Sequence, residues 1–262
     1  LRIALFLLLL VTAWLPIALP INLLISDRNL ATLLSLPILY GEFLLLVQGW
    51  NRWVYRQPHP LRRYGLRQPR RNFRNLLAGL LVGWIAVLGV FGSQWLGGAI
   101  HGVEPTTSFP RIVAEAWWMS LPLGFAEELL FRGWLLDELE RDYSAPVALW
   151  SASAVFAIAH FLRPWSEILQ TWLNFPALLI LGLALGWAKR AGQGRLGLPI
   201  GLHAGLVGAY YVLNVGQLMQ PMPGVPPWLT GMNGNPLASL PGVIGLGLIA
   251  AVMRWNSQAP RS

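Results

Sequence analysis

The sequence predicts an all-α, polytopic transmembrane helical bundle of about eight spans, and three observations carry that reading. Hydrophobic residues make up 55% of the chain and charged residues 11%, against roughly a quarter charged in soluble domains. Apolar runs long enough to cross about 30 Å of hydrocarbon, roughly 20 residues each, recur along the chain. Arginines collect between those runs instead of along one exposed face, so the net charge of +8 reads as membrane orientation and not as a nucleic-acid surface.

In chain order the spans fall near 3–25, 30–48, 75–96, 112–136, 145–162, 168–188, 198–216 and 239–253. The first is longer than the apolar core of a secretion signal and lacks a small-x-small cleavage site, so it is read as a membrane helix. The second carries Pro37 and Glu42, and the last is short. Between spans two and three lie Arg52, Arg56, Arg62, Arg63, Arg67, Arg70, Arg71 and Arg74 with no acidic residue among them. The positive-inside rule puts this loop in the cytoplasm. Alternation then places Lys189, Arg190, Arg195, Arg254 and Arg261 on the same side, both termini inside, and the uncharged segment from Gln217 to Ala238 outside. Trp50, Trp53, Tyr55 and Tyr64 interleave the basic loop, as in a segment lying on anionic lipid. The outer segment holds Pro221, Pro223, Pro226, Pro227, Gly231 and Gly234 and is expected to be ordered by its neighbours. No internal repeat or matched pair of broken helices marks a transporter.

Absence of cysteine removes disulfides, thiolate nucleophiles and cysteine metal sites together. Ionisable groups inside a bilayer cost a few kcal/mol each, so a cluster of them points to function. Span four contains one: Gly124-Phe125-Ala126-Glu127-Glu128-Leu129-Leu130-Phe131-Arg132-Gly133. Glu128 and Arg132 are four apart and can pair on a helix, while Glu127 projects about 100° away and is left free. His160 ends the run Phe156-Ala157-Ile158-Ala159-His160, and His203 sits in Gly201-Leu202-His203-Ala204-Gly205. A carboxylate beside imidazoles is competent to activate water for hydrolysis. Other intramembrane protease chemistries lack their residues. No H-E-x-x-H zinc helix occurs. Asp27, Asp137 and Asp142 sit at span ends, and Ser93 lacks the second glycine of a G-x-S-G serine site.

Glu127-Glu128-x-x-x-Arg132, Phe156-x-x-x-His160 and His203 resemble, in order, the three motifs of the CAAX prenyl endopeptidase and bacteriocin-processing (CPBP, Abi) family. The resemblance runs from about Ala114 to Tyr211. It divides the chain into N-terminal membrane helices with a basic loop (1–111), a CPBP-like core (112–216), and an outer loop with a C-terminal helix (217–262). It implies an intramembrane endopeptidase of the cell membrane acting on a peptide or lipidated-protein substrate among membrane lipids, with no nucleic-acid partner. Carried over, Glu127 activates water with help from His160, Arg132 holds Glu128, and His203 helps stabilise the oxyanion. The family has been described as metal-dependent and as a metal-free glutamate type. The metal-free form is favoured here, although Glu127, His160 and His203 can also supply a zinc ligand set.

Two departures accompany the resemblance. The third motif usually has Asn or Asp four residues after its histidine, where this chain has Val207. Asn214 is on the same helical face but about 16 Å further along, which leaves Asn174 or Tyr210 as substitutes. Counting about 1.5 Å per residue from the cytoplasmic ends puts His203 at about 10 Å, Glu127 at about 16 Å and His160 at about 24 Å, so perpendicular helices starting at one level would keep them apart. The alternative to a protease is a non-proteolytic membrane scaffold or bacteriocin self-immunity factor, with a transporter third.

Overall fold

Apolar runs of this length become helices, because within one segment only a helix satisfies its own backbone groups in lipid. In the computed structural model the described residues are 1–105, 107–162, 164–232 and 234–258, together with all side chains among them except those of Arg28, Asn29 and Leu237. Arg261 lies outside the described residues. The elements are α1 (Arg2–Leu24), α2 (Arg28–Trp53), α3 (Pro60–Arg63), α4 (Pro69–Leu96), β1 (Ile100–Gly102), α5 (Phe109–Glu128), α6 (Leu136–Glu140), α7 (Ala145–Ala159), α8 (Trp165–Thr171), α9 (Phe175–Ala191), α10 (Gly197–Tyr210), β2 (Met219–Pro221), α11 (Pro227–Thr230) and α12 (Leu240–Gln258). A π-helical stretch, Leu129–Leu135, joins α5 to α6, and a second, Tyr211–Val215, extends α10.

Among the described residues six helices are long and apolar enough to cross a membrane: Arg2–Leu24, Leu30–Trp53, Pro69–Leu96, Trp165–Ala191, Gly197–Val215 and Leu240–Gln258. The other two expected spans are helical but differ in kind. Phe109–Glu140 is a continuous helix interrupted only in its hydrogen-bond register, and it carries the ionisable cluster. Ala145–Ala159 has only 15 residues. Pro37 and Glu42 do not break the second span, which is one helix.

The chain divides into two units, Leu1–Arg63 and Tyr64–Ser262. In the first, α1 and α2 pack through aromatic edges. Phe6 meets Phe43 at 6.0 Å and Trp50 at 5.6 Å between ring centroids. Trp14 Nε1 donates to the Ser35 carbonyl at 3.2 Å.

In the second unit α10 is the central helix, packed most extensively on α4 and also on α5 and α9. Its sequence explains why. Gly197, Gly201 and Gly205 repeat every four residues along one face of α10, opposite Gly79 and Gly83 of α4. A methyl group at Gly201 would collide with the Leu76 carbonyl, and one at Gly83 would lie 2.6 Å from the Leu206 nitrogen. Such small-residue seams let membrane helices approach to backbone contact, where dispersion replaces the missing hydrophobic drive. A second seam, Gly182 and Gly186 of α9, admits Ser153 and Leu149 of α7.

At one end of this unit the basic segments meet. Arg67 donates to the Gln193 carbonyl at 2.9 Å, Arg195 to Gln68 Oε1 at 3.2 Å, and the Gly197 amide to Asn72 Oδ1 at 2.7 Å. At the other end β1 pairs antiparallel with β2, with His101 opposite Gln220. Gln94 Nε2 donates to the Leu229 carbonyl at 2.8 Å and to Ser239 Oγ at 3.2 Å. The described part of the segment from Gln217 to Ala238 contains a strand and a short helix and is bonded to α4 and β1 at these points.

Gly201→Ala is expected to lower thermal stability in detergent by about 1–3 kcal/mol through overpacking. Gly89→Ala, which meets no atom within 4 Å, should shift it by less than about 0.5 kcal/mol.

Candidate active site

The site forms where α5 passes into its π-helical extension. Glu127 and Glu128 are adjacent, so the helix sends them to different surroundings. Glu128 is fully buried and Arg132 is 2% exposed. Arg132 donates to Glu128 Oε1 at 2.9 Å and to the Gly182 carbonyl at 3.0 Å. Its guanidinium also lies 4.2 Å over the Phe156 ring. Gly182 therefore has two functions: without a side chain it lets α7 approach, and its carbonyl accepts from the buried cation.

Glu128 also accepts from His203. The His203 Nδ1 to Glu128 Oε1 distance is 2.8 Å, and His203 is buried in the middle of α10. Because an ionised carboxylate only accepts, the Nδ1 proton is fixed and Nε2 is turned toward Glu127. The same logic orients His160. Its Nδ1 donates to the Phe156 carbonyl at 2.8 Å, one helical turn back at the end of α7. Phe156 packs its edge against the His160 ring at 4.6 Å and lies 6.2 Å from that of His203. The phenylalanine of the F-x-x-x-H string thus backs both imidazoles and the Arg132 cation.

Glu127 Oε2 is the point of convergence. It lies 4.0 Å from His160 Nε2 and 3.9 Å from His203 Nε2, and has no hydrogen-bond partner. Glu127 and His160 keep about a quarter of their side chains exposed, 24% and 29%. These separations exceed a direct hydrogen bond and match those of two groups that share one bridging water.

All five residues singled out in the sequence, Glu127, Glu128, Arg132, His160 and His203, therefore meet in one place. The depth count failed because it assumed a common starting level. The helix carrying Glu127 runs on to Glu140 and α7 begins at Ala145, so Glu127 and His160 sit about 20 and 22 Å from the hairpin ends at roughly 1.5 Å per residue. α10 begins at Gly197, whose amide donates to Asn72 Oδ1 in the first turn of α4. Sequence reasoning missed the Glu128–His203 bond, the Gly182 carbonyl and the glycine seams. Only the seams carried a local signal, the G-x-x-x-G spacing.

The substitutes for an amide at Val207 separate. The Tyr210 hydroxyl accepts from Asn214 Nδ2 at 3.0 Å, and both are tied to the Gly234 carbonyl. Both thus serve to hold the segment that contains Gly234. Asn174 immediately precedes α9, with its Oδ1 buried and without a hydrogen-bond partner. The adjacent Phe175 ring lies 6.1 Å from that of Phe161, the residue after His160.

Two imidazoles and a carboxylate have the donor chemistry of a zinc site, and their Nδ1 bonds are the outer-shell bonds such ligands make. Their spacing does not fit one. Tetrahedral ligands at about 2.0–2.1 Å from zinc lie roughly 3.4 Å apart, shorter than either separation from Glu127. Among the described residues no group of three or more His, Cys, Asp or Glu is arranged to hold a metal ion.

Arg132→Gln and Glu128→Gln are each expected to cost about 3–5 kcal/mol by leaving a buried charge unpaired, seen as a lower unfolding midpoint in detergent. Glu127→Gln should stay within about 1 kcal/mol of the parent.

Comparison with known proteins bears on this geometry. Residues 109–209 match the family model described as Type II CAAX prenyl endopeptidase Rce1-like. An uncharacterized protein of Bacillus subtilis (strain 168), YpbD, is 27% identical over 141 residues, which cover 51% of this chain and 65% of that protein. No solved structure matches significantly. The matched segment contains every residue of the cluster, and over residues 109–209 this multi-pass membrane chain is similar to the Rce1-like, type II CAAX prenyl endopeptidases.

Proposed function

We propose that the chain is an intramembrane endopeptidase in which Glu127 activates water to hydrolyse a peptide bond. The observation that carries this reading is an unpartnered carboxylate oxygen, Glu127 Oε2, faced by the Nε2 atoms of two imidazoles whose other nitrogens are held. Water lying between Glu127 and His160 gives a proton to Glu127 as its oxygen bonds to the scissile carbonyl carbon. The carbonyl oxygen becomes the oxyanion. In this role His203 carries protons on both ring nitrogens, Nδ1–H to Glu128 and Nε2–H to the oxyanion. The C–N bond then breaks as Glu127 passes its proton to the departing amine, leaving a carboxylic acid and a free amine, which exchange the remaining proton to give carboxylate and ammonium. Glu128 and Arg132 take no proton. They neutralise each other and fix His203.

In this reading Asn174 supplies the amide donor that Val207 lacks, on the strength of its place beside the His160 turn. The spacing around Glu127 favours the metal-free route, and no step here passes through a metal. The family match favours a peptide or prenylated-protein substrate. The distribution of arginine favours a cell-membrane protein with both termini and the mouth of the site on the cytoplasmic side.

One observation, Val207, favours a second reading in which the cluster is kept only as structure in a scaffold or immunity protein. Cleavage of a quenched-fluorescent peptide library by purified protein separates the two. Glu127→Gln is expected to lose at least about 10²-fold while remaining folded, and chelator should leave the parent unchanged. Full activity in Glu127→Gln contradicts the assignment, and loss with chelator restored by a divalent ion contradicts the metal-free route. Asn174→Ala should lower kcat by about 10²–10³-fold if it donates to the oxyanion; an unchanged kcat removes it from the mechanism.

A further inference from the structure

Away from Glu127, the basic end of the second unit holds a group of cations without counter-ions. Arg195, between α9 and α10, is only 8% exposed, and its Nε is buried without a hydrogen-bond partner. Its NH1 is held by Gln68 Oε1 at 3.2 Å and Gln193 Oε1 at 3.1 Å, both neutral. The other charges that act on it are Arg71 and Arg67. Burial first, then these two cations, hold its guanidinium below the ordinary arginine range. No carboxylate lies within ion-pair distance of Arg67, Arg71 or Arg195 among the described residues. Burying one arginine beside two others is costly unless an anion completes the set.

A cleft adjoins the cluster at Arg67. Arg67, Lys189, Arg190, Gln193, Gly194 and Ser257 line a cleft of about 600 Å³ together with Leu136 and Glu140. Its one carboxylate, Glu140, is held by Arg190 at 3.1 Å. Gln193 links cleft and cluster, since its carbonyl accepts from Arg67 and its side chain from Arg195. The cleft lies where α4 begins and where α6, α9 and α12 end, so it opens at one end of the membrane helices, at headgroup level. Arginine favours phosphate there because its planar fork donates two parallel hydrogen bonds.

We propose that Arg67, Arg71 and Arg195 bind the phosphate of an anionic phospholipid headgroup, a lipid site separate from the Glu127 centre. The bound phosphate supplies the missing counter-charge and ties the start of α4 to the turn between α9 and α10. Through the α4–α10 seam it steadies the helix that carries His203.

Thermal unfolding and native mass spectrometry of the full chain test this, in nanodiscs of phosphatidylcholine alone and of phosphatidylcholine with phosphatidylglycerol. Phosphatidylglycerol is expected to raise the unfolding midpoint and to stay bound through detergent exchange. Arg71→Gln and Arg67→Gln, both at exposed positions, should weaken its retention about tenfold and remove the rise. Arg62→Gln, which takes the same charge from the same loop, should do neither. Equal midpoints in the two lipids overturn the proposal, as does an Arg62→Gln loss as large as that of Arg71→Gln. A rise of the same size from inorganic phosphate in phosphatidylcholine nanodiscs assigns the site to a soluble anion and overturns its lipid identity.

Discussion

A carboxylate and a guanidinium one helical turn apart, both almost wholly buried, set the terms for everything around them. Taken singly, Glu128 or Arg132 would carry a large desolvation cost in this apolar helix. Together they still need further partners, and the structure supplies them from three directions: the Gly182 carbonyl of α9, the Phe156 face of α7, and the Nδ1–H of His203 on α10. One ion pair therefore fixes the relative position of four helices. It also spends one of two adjacent glutamates on structure, which leaves Glu127 facing the imidazoles.

This arrangement needs helices closer together than ordinary side chains permit, and the glycine seams provide that closeness. α10 reaches backbone contact with α4 along Gly197, Gly201 and Gly205, and α9 admits α7 along Gly182 and Gly186. The π-helical register from Leu129 to Leu135 lies immediately after the glutamate pair, a place where such wide turns recur at functional sites. Packing that excludes side chains and a register that departs from the regular helix both bear on where His203 and Glu127 sit.

Much of this was legible in the sequence, for reasons that are local. Hydropathy marks helices because the bilayer leaves no other option, and Glu128 with Arg132 is a four-residue spacing any helix would pair. His160 and His203 stood out because polar groups are rare in apolar runs. What a linear count missed was relative height. Glu127 and His160 flank one hairpin at nearly equal distances from its turn, which becomes apparent only once the helix is seen to extend to Glu140. The Glu128–His203 bond spans 75 residues and has no local signature. In the same way Arg195 reads as one more topology determinant in sequence, and only its burial beside Arg67 and Arg71 distinguishes it.

The most direct test of the central claim is a paired measurement of stability and cleavage on the double variant Glu128→Leu/Arg132→Met. Replacing both charges by apolar groups removes the burial cost from both sides, so the double variant should recover most of the stability that either single change loses. With no acceptor left for His203 Nδ1, it should remain unable to cleave peptide. A double variant that is both folded and fully active would show that the buried pair does not orient His203, and would contradict the account.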